Sequence, residues 1–532
     1  IGTVLLINPL RETALEDDWA YSRTVQQLLS TGTYRLDDWL AANPIFQIYW
    51  GASLSRLAGY SFGTLRVSTL ILVLAGLIAF YCLAQEHGLN SFTASLATLA
   101  LFASPLVLRF SFNFMTDMPF LACSILAMWL YARAIRLRHY PTMLLGSVAA
   151  SAAILIRQFG VALLLALICV WLLGKGRRAQ APFFLAGLAL PALAAVLQVW
   201  MASVAPNWAA AYVVQAQGQY FSGLLSDPGG FLLEIIWRLS MIGQYLAFFA
   251  LPFTLLLLAA WIAGRRGLRP AAVVRQPSWP GPVRLGAASG LVFIGLVLSV
   301  QRGAIVMPFM NWYFGEISVP LRLAITLATS VGAIRLFQLV FRRYTDTPPF
   351  SAFPASRQFL DFVALFFVLE IFAFFQVGDE YLLVLLPYIL IVISQRLQQH
   401  LERAPYRIAA IGLLFVSLGL GSLWTRAVLS ASEAKWRGGE LARAAGALPT
   451  QISQNWIWNS YYGMFDEFLL ADDNSHRYDV ASFFQEWVPA RAREAEYVVA
   501  EEKRIGWEVR AEIPFEDFWL TTQHVYLLRR LP

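Results

Sequence analysis

Long apolar runs separated by short polar links fill the chain from residue 65 to residue 425. A helix needs about 20 mostly apolar residues to cross a bilayer. On that measure the pattern predicts spans over 65–86, 92–110, 116–135, 141–157, 159–174, 182–204, 236–263, 286–302, 319–341, 358–377, 381–397 and 407–425. The opening residues Ile1–Leu10 resemble the end of another span, which brings the expectation to about 12–13 crossings. Arg157 and Gln158 divide a run of 34 residues that is too long for one crossing.

Two stretches depart from this pattern: an early loop at about 10–64 and a tail at 426–532. In the loop, Thr13 and Glu16 have capping-box spacing, which predicts a helix from about 14 to 30 closed by Gly32. Asp17 and Asp18 fall in its early turns, with Tyr21 one turn beyond Asp17 on the same face. Asn43-Pro44 opens a second amphipathic stretch, Ile45–Leu57. In the tail, Tyr497–Ala500 reads as a short buried strand and Val525–Leu528 as a last one. The expected architecture is a polytopic α-helical membrane domain, 1–425, carrying a small C-terminal α/β domain, 426–532.

Composition agrees. Of 532 residues, 58% are hydrophobic and 14% charged, against about 25% charged in an ordinary soluble domain. Lipid must therefore cover part of the chain. The net charge of +7 is not a nucleic-acid signature, because the cations sort by loop. Arg133, Arg136 and Arg138, then Lys175, Arg177 and Arg178, Arg265–Arg284, Arg342 and Arg343, and Arg396–Arg407 fall in alternate loops, which the positive-inside rule assigns to the cytoplasm. The early loop and the tail then face outward. Merging the two spans around Arg157 would invert every later loop and destroy the pattern. Cys82, Cys123 and Cys169 sit in apolar runs and read as small buried hydrophobes. No metal-ligand spacing occurs, and no metal or cofactor is expected.

The outward parts carry the candidate chemistry. Asp17 and Asp18 also fit a solvated acidic helix start, and Asp37-Asp38-Trp39 repeats the tripeptide elsewhere. In the short second outer loop, Thr116 or Asp117 caps the next span and Pro119 sits in its first turn, yet Arg109 and Asp117 together at a membrane surface point further, to function. Arg23, Arg56, Arg66, Arg109, Arg157, Arg238 and Arg302 are the arginines near the outer surface, each able to snorkel to the interface or to bind phosphate with its planar fork. Arg109 and Arg157 end spans with no acid beside them in sequence. The aromatic segment Trp456–Tyr462 fits either a sugar-stacking surface or the core of the tail domain.

The run Glu16-Asp-Asp-Trp-Ala-Tyr-Ser-Arg-Thr-Val-Gln-Gln-Leu-Leu-Ser-Thr-Gly32 resembles the first external loop of the GT-C glycosyltransferases. The likeness is to family 39, the protein mannosyltransferases, and to its bacterial relatives, the lipid A aminoarabinose transferases. That loop reads Asp-Glu with Tyr four residues on; here Asp18 stands at the Glu position. Asn43-Pro44, Gly63–Val67 and Thr116–Pro119 resemble later family features, and Gly378–Tyr388 resembles a late Arg-Tyr-x5-Pro segment, with Glu380 where Arg is common.

The resemblance implies transfer of a sugar from a polyprenyl-phosphate donor to a lipid, glycan or protein acceptor, with membrane lipids as the surroundings and no nucleic acid. It implies Asp17 as general base, Asp18 and Asp117 as further catalytic carboxylates, and inversion at the anomeric carbon. Tyr21, Arg109, Arg157 and Tyr381 become the candidates for holding substrate and lipid phosphate. The implied setting is a bacterial inner membrane, with the active site and tail facing the periplasm and the products entering the cell envelope or lipopolysaccharide. The alternative is a transporter or flippase of an amphipathic or lipid-linked substrate, which would place polar groups near the bilayer midplane.

Overall fold

The computed structural model describes residues 2–204, 207–265, 281–301, 319–345, 353–375, 378–463, 466 and 494–531. A short helix, α1 (Gly2–Ile7), precedes the two helices of the early loop, α2 (Asp18–Thr31) and α3 (Ile45–Ala58). Apolar helices then follow one another: α4 (Phe62–Glu86), α5 (Ser91–Phe102), α6 (Pro105–Phe110), α7 (Asp117–Leu137), α8 (Tyr140–Ile154), α9 (Val161–Leu173) and α10 (Arg177–Val204). Beyond them lie α11 (Trp208–Ser226), α12 (Pro228–Phe249), α13 (Leu251–Arg265), α14 (Gly281–Gln301), α15 (Val319–Thr345), α16 (Ala355–Ala373), α17 (Leu386–Leu401) and α18 (Ala404–Ala444). Among the described residues, seven helices are long and apolar enough to cross a membrane, and five shorter apolar helices accompany them. The chain is a multi-pass membrane protein.

Proline and glycine set the breaks. The run 92–110 divides at Ser104, which leaves the helical region at ψ 131° because Pro105 follows it. The run 236–263, expected as one span, is two helices: α12 ends at Ala250 and Pro252 opens the first turn of α13. The break at Arg157 falls where the charge pattern requires it. Arg157 is extended, at φ −143° and ψ 135°, and a 3-10 turn at Gln158–Gly160 starts α9. The elbow closes because Gly160 has no Cβ; one built there would lie 2.7 Å from the Ile154 nitrogen.

The capping box at Thr13 and Glu16 does not form. The Thr13 hydroxyl donates to the Ala14 carbonyl, and α2 begins only at Asp18, with Asp17 at its N-cap. Glu16 is drawn away by Arg109, which donates to it at 2.9 and 2.5 Å, a charge-assisted contact stronger than a backbone cap. The far end matches expectation: Gly32 is left-handed at φ 72° and its N–H meets the Leu28 carbonyl.

α18 runs without a break past residue 425 and carries the tail on its outer part. The tail adds α19 (Trp456–Tyr461) and a four-stranded sheet: β1 (Ile452–Ser453), β2 (Tyr497–Ala500), β3 (Trp507–Glu516) and β4 (Thr522–Arg530). Its order is β1-β2-β4-β3, with β1 parallel to β2 and the other pairs antiparallel. Both expected strands are present; β3 was not expected, although Trp507, Val509, Ala511, Ile513 and Phe515 alternate with polar residues as a half-buried strand does. Its Ile513 packs with Val525 of β4 against Ala434 of α18. A separate core joins α2 and α3 to the tail through Trp19, Val25, Leu28, Trp436, Ile452 and Trp458.

Candidate active site

Three consecutive acids of the early loop take three different roles. Glu16 adopts a left-handed backbone at φ 53°, which a non-glycine residue holds only when its surroundings fix it. Its fixings are Arg109 on one carboxylate oxygen and the Asn113 amide, at 3.0 Å, on the other. Asp18 turns inward and is almost fully buried, accepting the N–H groups of Leu15 at 2.7 Å and Phe114 at 3.4 Å. Both neighbours of Asp17 are thus anchored to the segment around residues 109–114. Asp17 lies between the anchors, its carboxylate without a hydrogen-bond or ion-pair partner among the described residues.

The electrostatics of Asp17 follow from that position. Its pKa is pushed up to about 6, first by burial and then by the negative charges of Glu16, Glu380 and Asp117. The side chain keeps an open edge to solvent, so the burial comes from protein ringing its remaining sides. Asp18 is raised to about 7 by burial, against the pull of Arg66 and the two backbone donors.

Facing Asp17 is a second group built on the helix breaks. Asp117, at the first turn of α7, pairs with Arg157 at 3.0 Å, and both are largely shielded from solvent. The Arg157 Nε also donates to the Thr116 hydroxyl at 2.7 Å, and its guanidinium lies over the Tyr381 ring at 5.2 Å. Tyr381 is held edge-on by Phe159 and Phe374. Neither Asp117 oxygen receives a properly aligned hydrogen bond among the described residues, so the contact with Arg157 is charge pairing and the carboxylate keeps its acceptor capacity. Tyr21 stands between the two groups, its field shaped by Arg157, Asp17 and Asp117; burial raises its pKa. Below Arg157 and Asp117 a narrow apolar slot, lined by Phe120, Phe367, Leu383 and Val384, leads inward to Glu370.

The structure therefore brings together Asp17, Tyr21, Asp117, Arg157 and Tyr381. Asp18 and Arg109 lie beside this group and are occupied with anchoring. Among the other arginines singled out by position, Arg66 is buried and donates to the carbonyls of Pro9, Arg11 and Thr13. Arg23 pairs with Asp37 and Asp466, both at 3.0 Å. Arg238 bonds Glu234 and the carbonyls of Ile371, Phe374 and Phe375. Arg302 lies outside the described residues. Trp458 is fully buried and donates to Glu440 at 3.0 Å, and Trp456 meets Trp19 edge-on, so this aromatic segment packs the tail against the loop. Sequence reasoning missed the anchoring by Glu16 and Asn113. The only signal was the lack of any other partner for Arg109 nearby in sequence. A larger cleft of about 530 Å³, between the early loop and α18, holds none of the grouped residues.

Residues 43–201 match the family model described as dolichyl-phosphate-mannose-protein mannosyltransferase. No curated protein matches the chain in sequence. Among solved structures, the chain is similar to apo ArnT from Cupriavidus metallidurans at 15% identity and TM-score 0.44, covering 100% of this chain and 96% of that one. The same protein bound to undecaprenyl phosphate gives 13% identity and TM-score 0.44, with coverage of 100% and 97%. Archaeal oligosaccharyltransferase AglB from Archaeoglobus fulgidus, in complex with an inhibitory peptide and a dolichol-phosphate, gives 12% and 0.39, covering 94% and 68%.

Proposed function

We propose that this chain, a member of the GT-C superfamily of membrane glycosyltransferases through residues 43–201, moves a sugar from a polyprenyl-phosphate carrier to an acceptor hydroxyl at the outer face of a bacterial inner membrane. The acceptor is a lipid, glycan or protein of the cell envelope. The observation that carries the reading is that Tyr21 lies in the field of both a carboxylate without a side-chain partner, Asp17, and a shielded guanidinium, Arg157.

The reaction needs a base for the acceptor hydroxyl and a cation for the departing phosphate. Asp17 takes the hydroxyl proton as the acceptor oxygen attacks the anomeric carbon. The bond from that carbon to the phosphate oxygen breaks, and its electron pair leaves with the lipid phosphate. Arg157 receives the phosphate charge, with Tyr381 behind it as a fixed surface. Asp117 holds Arg157 in place and offers its unused oxygens to hydroxyls of the sugar or acceptor. Glu16 and Asp18 are positioning residues. A single displacement inverts the anomeric centre; an NMR assignment showing retention sinks that part of the reading.

Mass spectrometry of envelope glycolipids tests the whole, in cells carrying wild type, Asp17→Asn or empty vector. A sugar mass added by wild type and lost in Asp17→Asn at equal protein level is the expected result. A sugar mass that persists in Asp17→Asn overturns the assignment of the base.

A further inference from the structure

The link between β3 and β4 points two large apolar side chains outward: Trp519 is 78% exposed and Leu520 53%. Phe518 meets Trp519 edge-on, with ring centroids 4.9 Å apart. Leu520 sits in the left-handed region at φ 61°, where glycine is the usual occupant and leucine is strained. The polar groups of this turn are met within it. The N–H groups of Trp519 and Thr521 and the Thr521 hydroxyl donate to the Asp517 carboxylate at 2.9, 2.9 and 2.7 Å. The Leu520 N–H reaches the Asp517 carbonyl, and the Asp517 N–H reaches the Thr521 carbonyl. A turn satisfied in this way can leave bulk water at low cost.

Its place relative to the bilayer follows from α18. The exposed apolar side chains of that helix, Ile408, Ile411, Phe415, Val416 and Leu420, stop short of Trp424 and Arg426, and charged residues recur from Glu433 onward. About 20 residues of helix from Ala404, roughly 30 Å, bring the chain to the interface on the tail side near Trp424. Arg109, at the end of the run 92–110, lies over the Trp424 ring at 4.7 Å and marks the same level from a second element. β3 descends along α18 toward this level. Ile513 packs against Ala434 and lies beside Gly438, the Glu516 N–H donates to the Ser430 hydroxyl at 3.1 Å, and the Glu516 carboxylate pairs with Arg426. These contacts step from residue 438 to residue 426 of the helix, about 18 Å of rise. The turn follows directly on Glu516, which brings it to the membrane surface.

We infer that Phe518, Trp519 and Leu520 form a wedge that enters the tail-side leaflet of the membrane the chain spans, seating the tail on lipid at a second point besides α18. An indole is at home among headgroups and a leucine just beneath them, at a depth of about 5–10 Å. The inference stands on this turn and α18 and does not rest on the proposed reaction.

Site-specific fluorescence of the full chain in lipid nanodiscs tests it. Cys82, Cys123 and Cys169 are replaced by alanine, and an environment-sensitive dye is attached at Trp519→Cys or, at the other end of β3, at the fully exposed Ile505→Cys. The Trp519→Cys label should show blue-shifted emission, loss of intensity with phosphatidylcholine bearing a nitroxide high on its acyl chain, and protection from aqueous iodide. The Ile505→Cys label should lose intensity with iodide and not with nitroxide lipid. Iodide quenching without nitroxide quenching at position 519 overturns the proposal, and so does protection from both, which means that protein covers the turn. Nitroxide quenching at both positions overturns it too, because the whole sheet then lies on the bilayer. If Trp519→Cys does not fold, Leu520→Cys carries the same label and is judged by the same outcomes.

Discussion

At the scale of single residues, the chain separates jobs by a difference of one position. Glu16, Asp17 and Asp18 are chemically near-identical, yet the side chains of two are tied to protein donors and that of the third is not. Asp17→Asn is expected to lower transfer by a factor of about 10²–10⁴, the ordinary contribution of a positioned base. A lipid-linked donor assay with purified protein measures it. Asp17 acts as a base only when ionised, and its pKa is raised to about 6. The rate should therefore climb with pH and level off above about 6; a flat profile down to pH 5 excludes it as the base. Arg157→Gln should raise the donor KM by roughly 10–100-fold, since hydrogen bonds to charged groups are worth about 1.5–3 kcal/mol. Asp17 was singled out in the sequence by the resemblance of its loop, since position alone fits a solvated helix start equally well. The freedom of its carboxylate from partners was not legible there, because that depends on Arg109, Asn113 and Phe114, which lie some ninety residues away.

At the scale of elements, the active geometry hangs on segments that are not themselves catalytic. Arg66, at the start of α4, holds three carbonyls of the strand-like segment leading to Glu16. Arg66→Met leaves those acceptors buried and unmet, a cost on the order of 3 kcal/mol. The expected result is a lower Tm and faster proteolysis within residues 8–17, with donor affinity retained if the protein is folded. Glu16→Gln weakens the Arg109 clamp and should reduce kcat more than it changes donor KM. The spans and the elbow at Arg157 could be read from hydrophobicity and loop charge, because lipid imposes both. The helix start at Asp18 could not: a local capping motif lost to a distant arginine. Nor could the split at Ala250, where an apolar run conceals a proline-led restart.

At the scale of the whole molecule, the tail and the early loop share one core. Trp458 is its centre, enclosed by Gly439 and Glu440 of α18. Trp458→Ala should destabilise this outer part by about 3–5 kcal/mol, a large-to-small core change. Limited proteolysis will then cut the tail while the membrane helices survive; an unchanged cleavage pattern denies it that central place. The tail's second and last strands were visible in sequence as short apolar runs, but its union with the early loop was not, since it joins residues more than 400 positions apart. The membrane helix that carries the tail has 41 residues, about 60 Å of continuous rise, twice the thickness of a hydrocarbon core. Such a mast has no joint at the waterline. A bilayer that thickens or thins, and so changes the lean of this helix, must swing the sheet and the Asp17 loop by the same angle, making turnover answer to the depth of the surrounding lipid.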